Sequence, residues 1–328
     1  MKKKITLKGV WQVLRDSFKS FSNDNVFKLS GSLAYFTVFS IGPMLIVMIF
    51  FADLFYGREA VEGTVYGQLR GFVGSDAAKQ IQDIIKNASL SGKSTTTAVI
   101  GFITLIVGAT TVFAEIQDSI NIIWNLKPKP KKGWLKMILN RLISFSVVVG
   151  LGFILLVSLI VNGLIEGFMD RLQARFPNLT VIIFYILNLL ITFIVISGLF
   201  TVIFKVLPDA KIKWKDVIIG SMTTAILFML GKFAITFYIG SANIGSSYGA
   251  AGSIVVLLLW VYYSSVILYF GAEFTKAYAA HYGSRISPSQ YAVWIRNVEV
   301  EEEGGSLKQQ EKKKKEENEQ TGDNVTVT

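Results

Sequence analysis

The sequence predicts an all-α, polytopic membrane protein with six transmembrane helices plus interfacial amphipathic helices. Three observations lead there. Charge-free apolar stretches recur at Leu29–Ala52, Ser94–Ala114, Leu142–Ile165, Phe176–Phe204, Val217–Gly231 and Phe233–Ala272. A helix needs about 20 mostly apolar residues to cross the hydrocarbon core, and a lipid-embedded chain must satisfy its backbone internally. Composition agrees: the mean hydropathy is +0.48 and only 17% of residues are charged, against roughly 25% in an average soluble domain. Finally, basic residues collect in alternate connections, as they do when short basic loops stay in the cytoplasm.

The elements follow in order. Residues 1–28 form a cytoplasmic amphipathic N-terminal segment carrying Lys2, Lys3, Lys4, Lys8, Arg15, Lys19 and Lys28. It lacks the apolar core of a cleavable signal, so the first span is expected to stay as an anchor. Within it, Thr6–Ser22 sets Val10, Trp11, Leu14, Phe18 and Phe21 on one helical face and Lys8, Arg15 and Lys19 on the others. That pattern reads as an interfacial helix drawn to anionic headgroups, or as a short docked helix without a lipid role.

A six-span membrane domain is expected over 29–278. Its spans fall at Gly31–Leu54, Thr96–Trp124, Leu139–Leu164, Asn178–Val206, Val217–Ile239 and Gly252–Lys276. A long outer loop occupies 56–95, where Val65, Leu69, Phe72, Val73, Ile81 and Ile84 keep helical spacing. From Asn125 to Arg141 there are six bases and no acid. Lys205, Lys211, Lys213 and Lys215 follow the fourth span. Both termini should therefore be cytoplasmic, which an even number of spans requires. Residues 279–328 read as a cytoplasmic, largely disordered tail. From Glu299 onward it holds nine acids and five bases, a net of −4, so the other 298 residues carry +14 of the overall +10. This basic excess sits in loops and reads as topology rather than as nucleic-acid binding.

Charged groups inside spans are costly and mark function by default. Lys232, sixteen residues into the fifth span, must meet a carboxylate, carbonyls, water or an anionic ligand. It serves either a ligand pocket or a structural ion pair. Glu115, Asp118 and Asn121 follow one another at i,i+3 spacing in the cytoplasmic half of the second span, and Glu273 lies near the end of the sixth. They suggest a polar gate or proton site, or pairing with nearby lysines. The link from Gly240 to Gly252 is small, polar and uncharged, with Asn243, Tyr248 and Gly249 in it. Its glycines permit irregular backbone, which is tolerated at membrane depth where protein covers it. It is a pocket candidate, or an ordinary hairpin. Pro43 removes a helical hydrogen bond and should kink the first span.

Soluble catalytic patterns are missing. His281 is the sole histidine and cysteine is absent, so the sequence offers no catalytic residue, cofactor motif or multi-histidine or thiolate metal site. Asn87-Ala-Ser-Leu-Ser-Gly-Lys-Ser94 imitates a phosphate-binding loop but lacks its first glycine and a preceding strand.

Several motifs, in order, carry a resemblance. Leu33-Ala-Tyr-Phe-Thr-Val-Phe-Ser-Ile-Gly-Pro43 and Phe113-Ala-Glu-Ile-Gln-Asp-Ser-Ile-Asn-Ile-Ile-Trp124 come first. Leu207-Pro-Asp209 with Trp214, Lys232 with Phe237-Tyr238, Tyr248-Gly249, Leu259-Trp-Val-Tyr262 and Gly271-Ala-Glu273 follow. From about Trp11 to Tyr282 the chain resembles the YihY/virulence factor BrkB family, once labelled ribonuclease BN. The resemblance implies a six-span protein of the bacterial cytoplasmic (inner) membrane, associated with envelope integrity. Links of that family to lipid precursors suggest lipid translocation. The lysine-rich link after the second span and the acidic tail depart from the shared pattern.

The expected function is movement of an anionic lipid or amphiphile across or out of the membrane. Lys232, Asn243, Tyr248 and Gly249 would meet the headgroup, and Glu115, Asp118, Asn121 and Glu273 would form the inner gate. The alternative is a non-transporting membrane scaffold for envelope assembly machinery. Expected partners are membrane lipids and, in the scaffold reading, envelope assembly proteins. A nuclease is disfavoured.

Overall fold

In the computed structural model, residues 6–55, 79, 95–129, 177–241, 252–283, 285–290 and 292–295 are described. Among the described residues six long helices and four short strands follow one another: α1 (Leu7–Asn23), α2 (Val26–Phe55), α3 (Thr95–Ile123), β1 (Leu126–Pro128), α4 (Pro177–Val206), β2 (Ala210–Lys211), α5 (Trp214–Ser241), α6 (Gly252–His281), β3 (Ser287–Pro288) and β4 (Ala292–Trp294). All belong to one unit, Met1–Trp294; Ile295–Thr328 is a second, of which only Ile295 is described.

The protein is mostly helical, and the apolar runs explain why. Three stretches among the described residues are long and apolar enough to cross a membrane: Tyr185–Val206, Trp214–Ser241 and Ile254–His281. They keep much of their apolar surface outside. Along α4, Tyr185, Ile186, Leu189, Leu190 and Ile194 form an exposed stripe at helical spacing. Such a stripe is a contact surface for lipid or protein. At 30 and 29 residues, α2 and α3 match the spans in length, and α2 stays helical through Pro43. The span expected at Leu139–Leu164 lies outside the described residues, as do the outer-loop helices apart from helical Lys79.

Helix α6 is the hub, packed against α1, α2, α3 and α5, while α2 lies on α3 and α4 on α5. The α5–α6 seam shows how small residues permit close approach. A Cβ on Gly220 would lie 2.0 Å from Thr275 Oγ1, and one on Gly271 2.0 Å from Thr224 Oγ1. Each threonine fills the gap opposite the other helix's glycine. Its hydroxyl donates to the carbonyl four residues back, Gly220 O or Gly271 O, at 2.7 Å. The same device recurs farther along, where a Cβ on Gly231 would meet the Tyr263 hydroxyl.

Helices α3, α4 and α6 finish, and α2 and α5 begin, at one common end, here termed the basic end. Asn25 and Asn125 mark the breaks there with φ of 52° and 56°. That left-handed conformation suits asparagine at a helix terminus. The chain after α6 does not leave as a tail. It doubles back, so that β3 pairs antiparallel with β2 (Ala210↔Pro288, Lys211↔Ser287) and β4 with β1 (Leu126↔Trp294, Pro128↔Ala292). Helix α6 runs to His281, past the expected end of the membrane domain at 278, and the first compact unit reaches Trp294. Two- and three-residue strands have no periodicity of their own and exist through distant partners.

Candidate functional site

Polar chemistry concentrates at the basic end, inside a shell of fully buried Val26, Ile120, Ile123, Trp124 and Phe204. Three contacts tie it together. First, Asn121 of α3 meets Asp209 after α4. The Asp209 backbone N–H donates to Asn121 Oδ1 at 2.9 Å, and Asn121 Nδ2 donates to Asp209 Oδ2 at 3.2 Å. Asp209 O in turn accepts from the Ser289 N–H at 2.9 Å. Second, the Trp124 indole N–H donates to Ala272 O of α6 at 3.0 Å. Third, Lys276 of α6 donates to Ile123 O, a terminal carbonyl of α3. A cation is favoured there by the helix dipole. Its ammonium also lies 3.5 Å from Asp24 and 3.7 Å from Glu273. A neighbouring cation, Lys205, donates to Ile212 O and sits 5.2 Å over the Trp214 ring.

Glu273 is the exceptional group. Its side chain is 0% exposed and neither carboxylate oxygen has a well-formed hydrogen bond among the described residues. Buried polar groups are nearly always bonded; here the Lys276 ammonium at 3.7 Å supplies a compensating charge instead. The Tyr269 hydroxyl and Ser119 Oγ, buried near one another without a well-formed bond, extend the polar layer between α6 and α3, with Glu115 near Tyr269.

The expected gate residues do not share one face. Successive residues of an α-helix turn by about 100°, so each three-residue step from Glu115 to Asp118 to Asn121 drifts by about 60°. Glu115 is half-buried, Asp118 exposed and Asn121 buried. Asn121 is spent on Asp209, while Glu273 faces Lys276. Lys232 is half-buried on α5. Asn243, Tyr248 and Gly249 lie outside the described residues. Sequence reasoning missed the roles of Asp209, Lys276 and Asp24. The signals available were the Leu207-Pro-Asp209 motif and a lysine three residues after a carboxylate.

A second feature lies deeper in the bundle. A cavity of about 200 Å³ is lined by residues of α2 to α6, among them Leu33, Ile116, Phe200, Phe228, Trp260 and Leu268. Its hydroxyls, on Thr37, Ser264 and Ser265, already donate to carbonyls of their own helices. Lys232 is not in the lining. The walls suit an apolar chain rather than a charged headgroup.

Comparison with known proteins gives a family. The profile described as "Virulence factor BrkB" matches residues 17–293. A UPF0761 membrane protein of Rhodospirillum centenum is 27% identical over 271 residues, covering 80% of this chain and 56% of its own length. That of Pseudoalteromonas atlantica is 25% identical over 254 residues, covering 77% and 81%. That of Tolumonas auensis is 28% identical over 265 residues, covering 77% and 80%. The chain thus spans little more than half of the first relative and about four-fifths of the others. No solved structure matches the chain.

Proposed function

Because this chain belongs to the virulence factor BrkB family of membrane proteins, we propose that it moves an anionic lipid or amphiphile across or out of the bacterial inner membrane. The observation that carries the reading is the apolar cavity between α2 and α6. It has the walls an acyl chain needs, and Glu273 and Lys276 offer ionisable groups toward the basic end. In this reading the bundle crosses six times, with both termini and the basic end in the cytoplasm. Helix direction supports the reading: α3 and α4 both finish at the basic end. Lys232 and the 240–252 link take the headgroup on the outer side. Contribution to envelope integrity follows from supplying lipid, and no enzymatic step is invoked.

Reconstituted liposomes holding a fluorescent phosphatidylglycerol test this. Transport predicts loss of label protected from an outside quencher, and predicts that Ser265→Phe, which fills the cavity, slows it at least tenfold. Absence of movement with and without a proton gradient sinks the reading. A second reading, a non-transporting scaffold for envelope assembly proteins, draws on the strand-paired basic end with half-exposed Trp294. It predicts that Ser265→Phe is silent while Trp294→Ala loses partner recovery.

A further inference from the structure

Helix α1 presents three different faces, and the structure fixes which way each points. Gly9, Val13 and Ser17 are buried. Val13 packs with Phe274 and Tyr278 of α6. A Cβ on Gly9 would lie 1.8 Å from the Tyr282 hydroxyl, which itself donates to Thr6 O at 3.2 Å. This small face sets the rotation of the helix. Thr6 sets its start, accepting from the Gly9 N–H at 3.2 Å.

About 110° around the axis, at about 100° per residue, lie Leu7, Val10, Trp11, Leu14, Phe18 and Phe21. Leu7 is 93% exposed, Trp11 71% and Phe18 63%. Three such side chains in a row are not left to water. Phe18 and Phe21 also touch Phe270 of α6, with ring centroids at 4.8 and 5.8 Å. The apolar face is therefore continuous with the surface of a membrane-crossing helix. On the third face stand Lys8, Arg15 and Lys19, all exposed.

We propose that α1 is a docking element for anionic lipid headgroups. The Leu7–Trp11–Phe18 face lies in the acyl boundary of the leaflet at the basic end, and Lys8, Arg15 and Lys19 hold lipid phosphates above it. Charge complementarity selects the occupant. An apolar surface bordered by three cations on one side and a membrane span on the other fits an anionic bilayer interface. A soluble apolar partner has no need of the cations. The assignment requires only a membrane-embedded bundle, not transport.

The absence of cysteine allows a direct test in the full chain. Spin labels go singly at Trp11→Cys and, on the basic side, Gln12→Cys, in nanodiscs of phosphatidylcholine with or without phosphatidylglycerol. In the anionic discs the label at 11 should collide with a water-soluble nickel chelate several-fold less often than the label at 12, and more often with oxygen. Shielding at 11 should weaken in neutral discs and in the K8Q/R15Q/K19Q variant. Equal chelate exposure at 11 and 12 in anionic discs overturns the proposal. So does shielding that ignores both lipid charge and the triple change. Strong dipolar coupling between labels on two copies overturns it in favour of a second chain on this face.

Discussion

Exchanging the two polar partners Asn121 and Asp209 should break and then rebuild the link between α3 and the chain after α4. The two residues make two hydrogen bonds in a site only 2% and 9% exposed. Asn121→Ala strands the Asp209 backbone N–H and takes one donor from its carboxylate. A stranded buried group costs about 1–3 kcal/mol and a lost bond to a charged group about 1.5–3 kcal/mol, so the loss is roughly 2–6 kcal/mol. Asn121→Asp keeps an acceptor for the Asp209 N–H but sets carboxylate against carboxylate, and should be at least as damaging. Asp209→Asn alone should be milder, because its amide oxygen still accepts from Asn121. The swapped double variant N121D/D209N regenerates both bonds: the carboxylate introduced on α3 accepts from the residue-209 backbone N–H and from the amide introduced opposite it. A coupling of about 1–3 kcal/mol is expected, within the range for directly bonded pairs. Thermal unfolding in detergent, followed by loss of the monodisperse peak, measures all four forms. A drop of about 2–4 °C per kcal/mol sets the scale. If the double variant is as unstable as the sum of the singles, the two residues do not support one another and the reasoning fails.

Two further predictions use the same assay. Gly220→Ala puts a Cβ against Thr275 and should cost about 1–3 kcal/mol by overpacking; adding Thr275→Gly should recover most of it, and no recovery would mean that the seam is looser than its geometry. Lys276→Met removes the cation beside a fully buried Glu273 and should cost about 2–4 kcal/mol, below the usual range for a broken buried pair because Lys276 is 24% exposed. Converting Glu273 to Leu in the same chain should restore stability, which would not happen if Lys276 acted only through Ile123 O.

Element positions are plain in the sequence, because an apolar run is a local signal. The expected Thr96–Trp124, Asn178–Val206 and Gly252–Lys276 begin within a residue of α3, α4 and α6. Polar connections are not legible there. Asn121 and Asp209 are 88 positions apart, and Lys276 and Ile123 are 153 apart. No periodicity announces such partners. The i,i+3 spacing of Glu115, Asp118 and Asn121 misleads for a definable reason. Three-residue steps keep neighbours adjacent but precess, so a line of three becomes a spiral whose last member turns to a different helix. The pattern of Thr6–Ser22 admits either docking or lipid contact. Docking uses Gly9, Val13 and Ser17 and leaves Leu7, Trp11 and Phe18 exposed, so the docked position alone does not decide between the two.

Where the bundle can open follows from which contacts cross between helices. Around the cavity, Thr37, Ser264 and Ser265 spend their hydroxyl protons on their own helices, so separating those helices breaks no hydrogen bond of these donors. At the basic end the donors cross: Asn121 to Asp209, Trp124 to Ala272, Lys276 to Ile123. Any opening should therefore begin away from that end, with the basic end moving as one piece. Amide exchange tests the last point. Asp209 is gripped on both sides, its N–H by Asn121 and its carbonyl by the Ser289 N–H. If the cluster opens as a unit, Asn121→Ala should speed exchange at Asp209 and at Ser289 together, by on the order of tenfold or more, since each bond lost is worth about 1 kcal/mol or above. The Ser289 bond contains no atom of Asn121, so only cooperative opening reaches it. Faster exchange at Asp209 with Ser289 unchanged would mean that the strands hold independently of α3, and that the basic end has a joint within it.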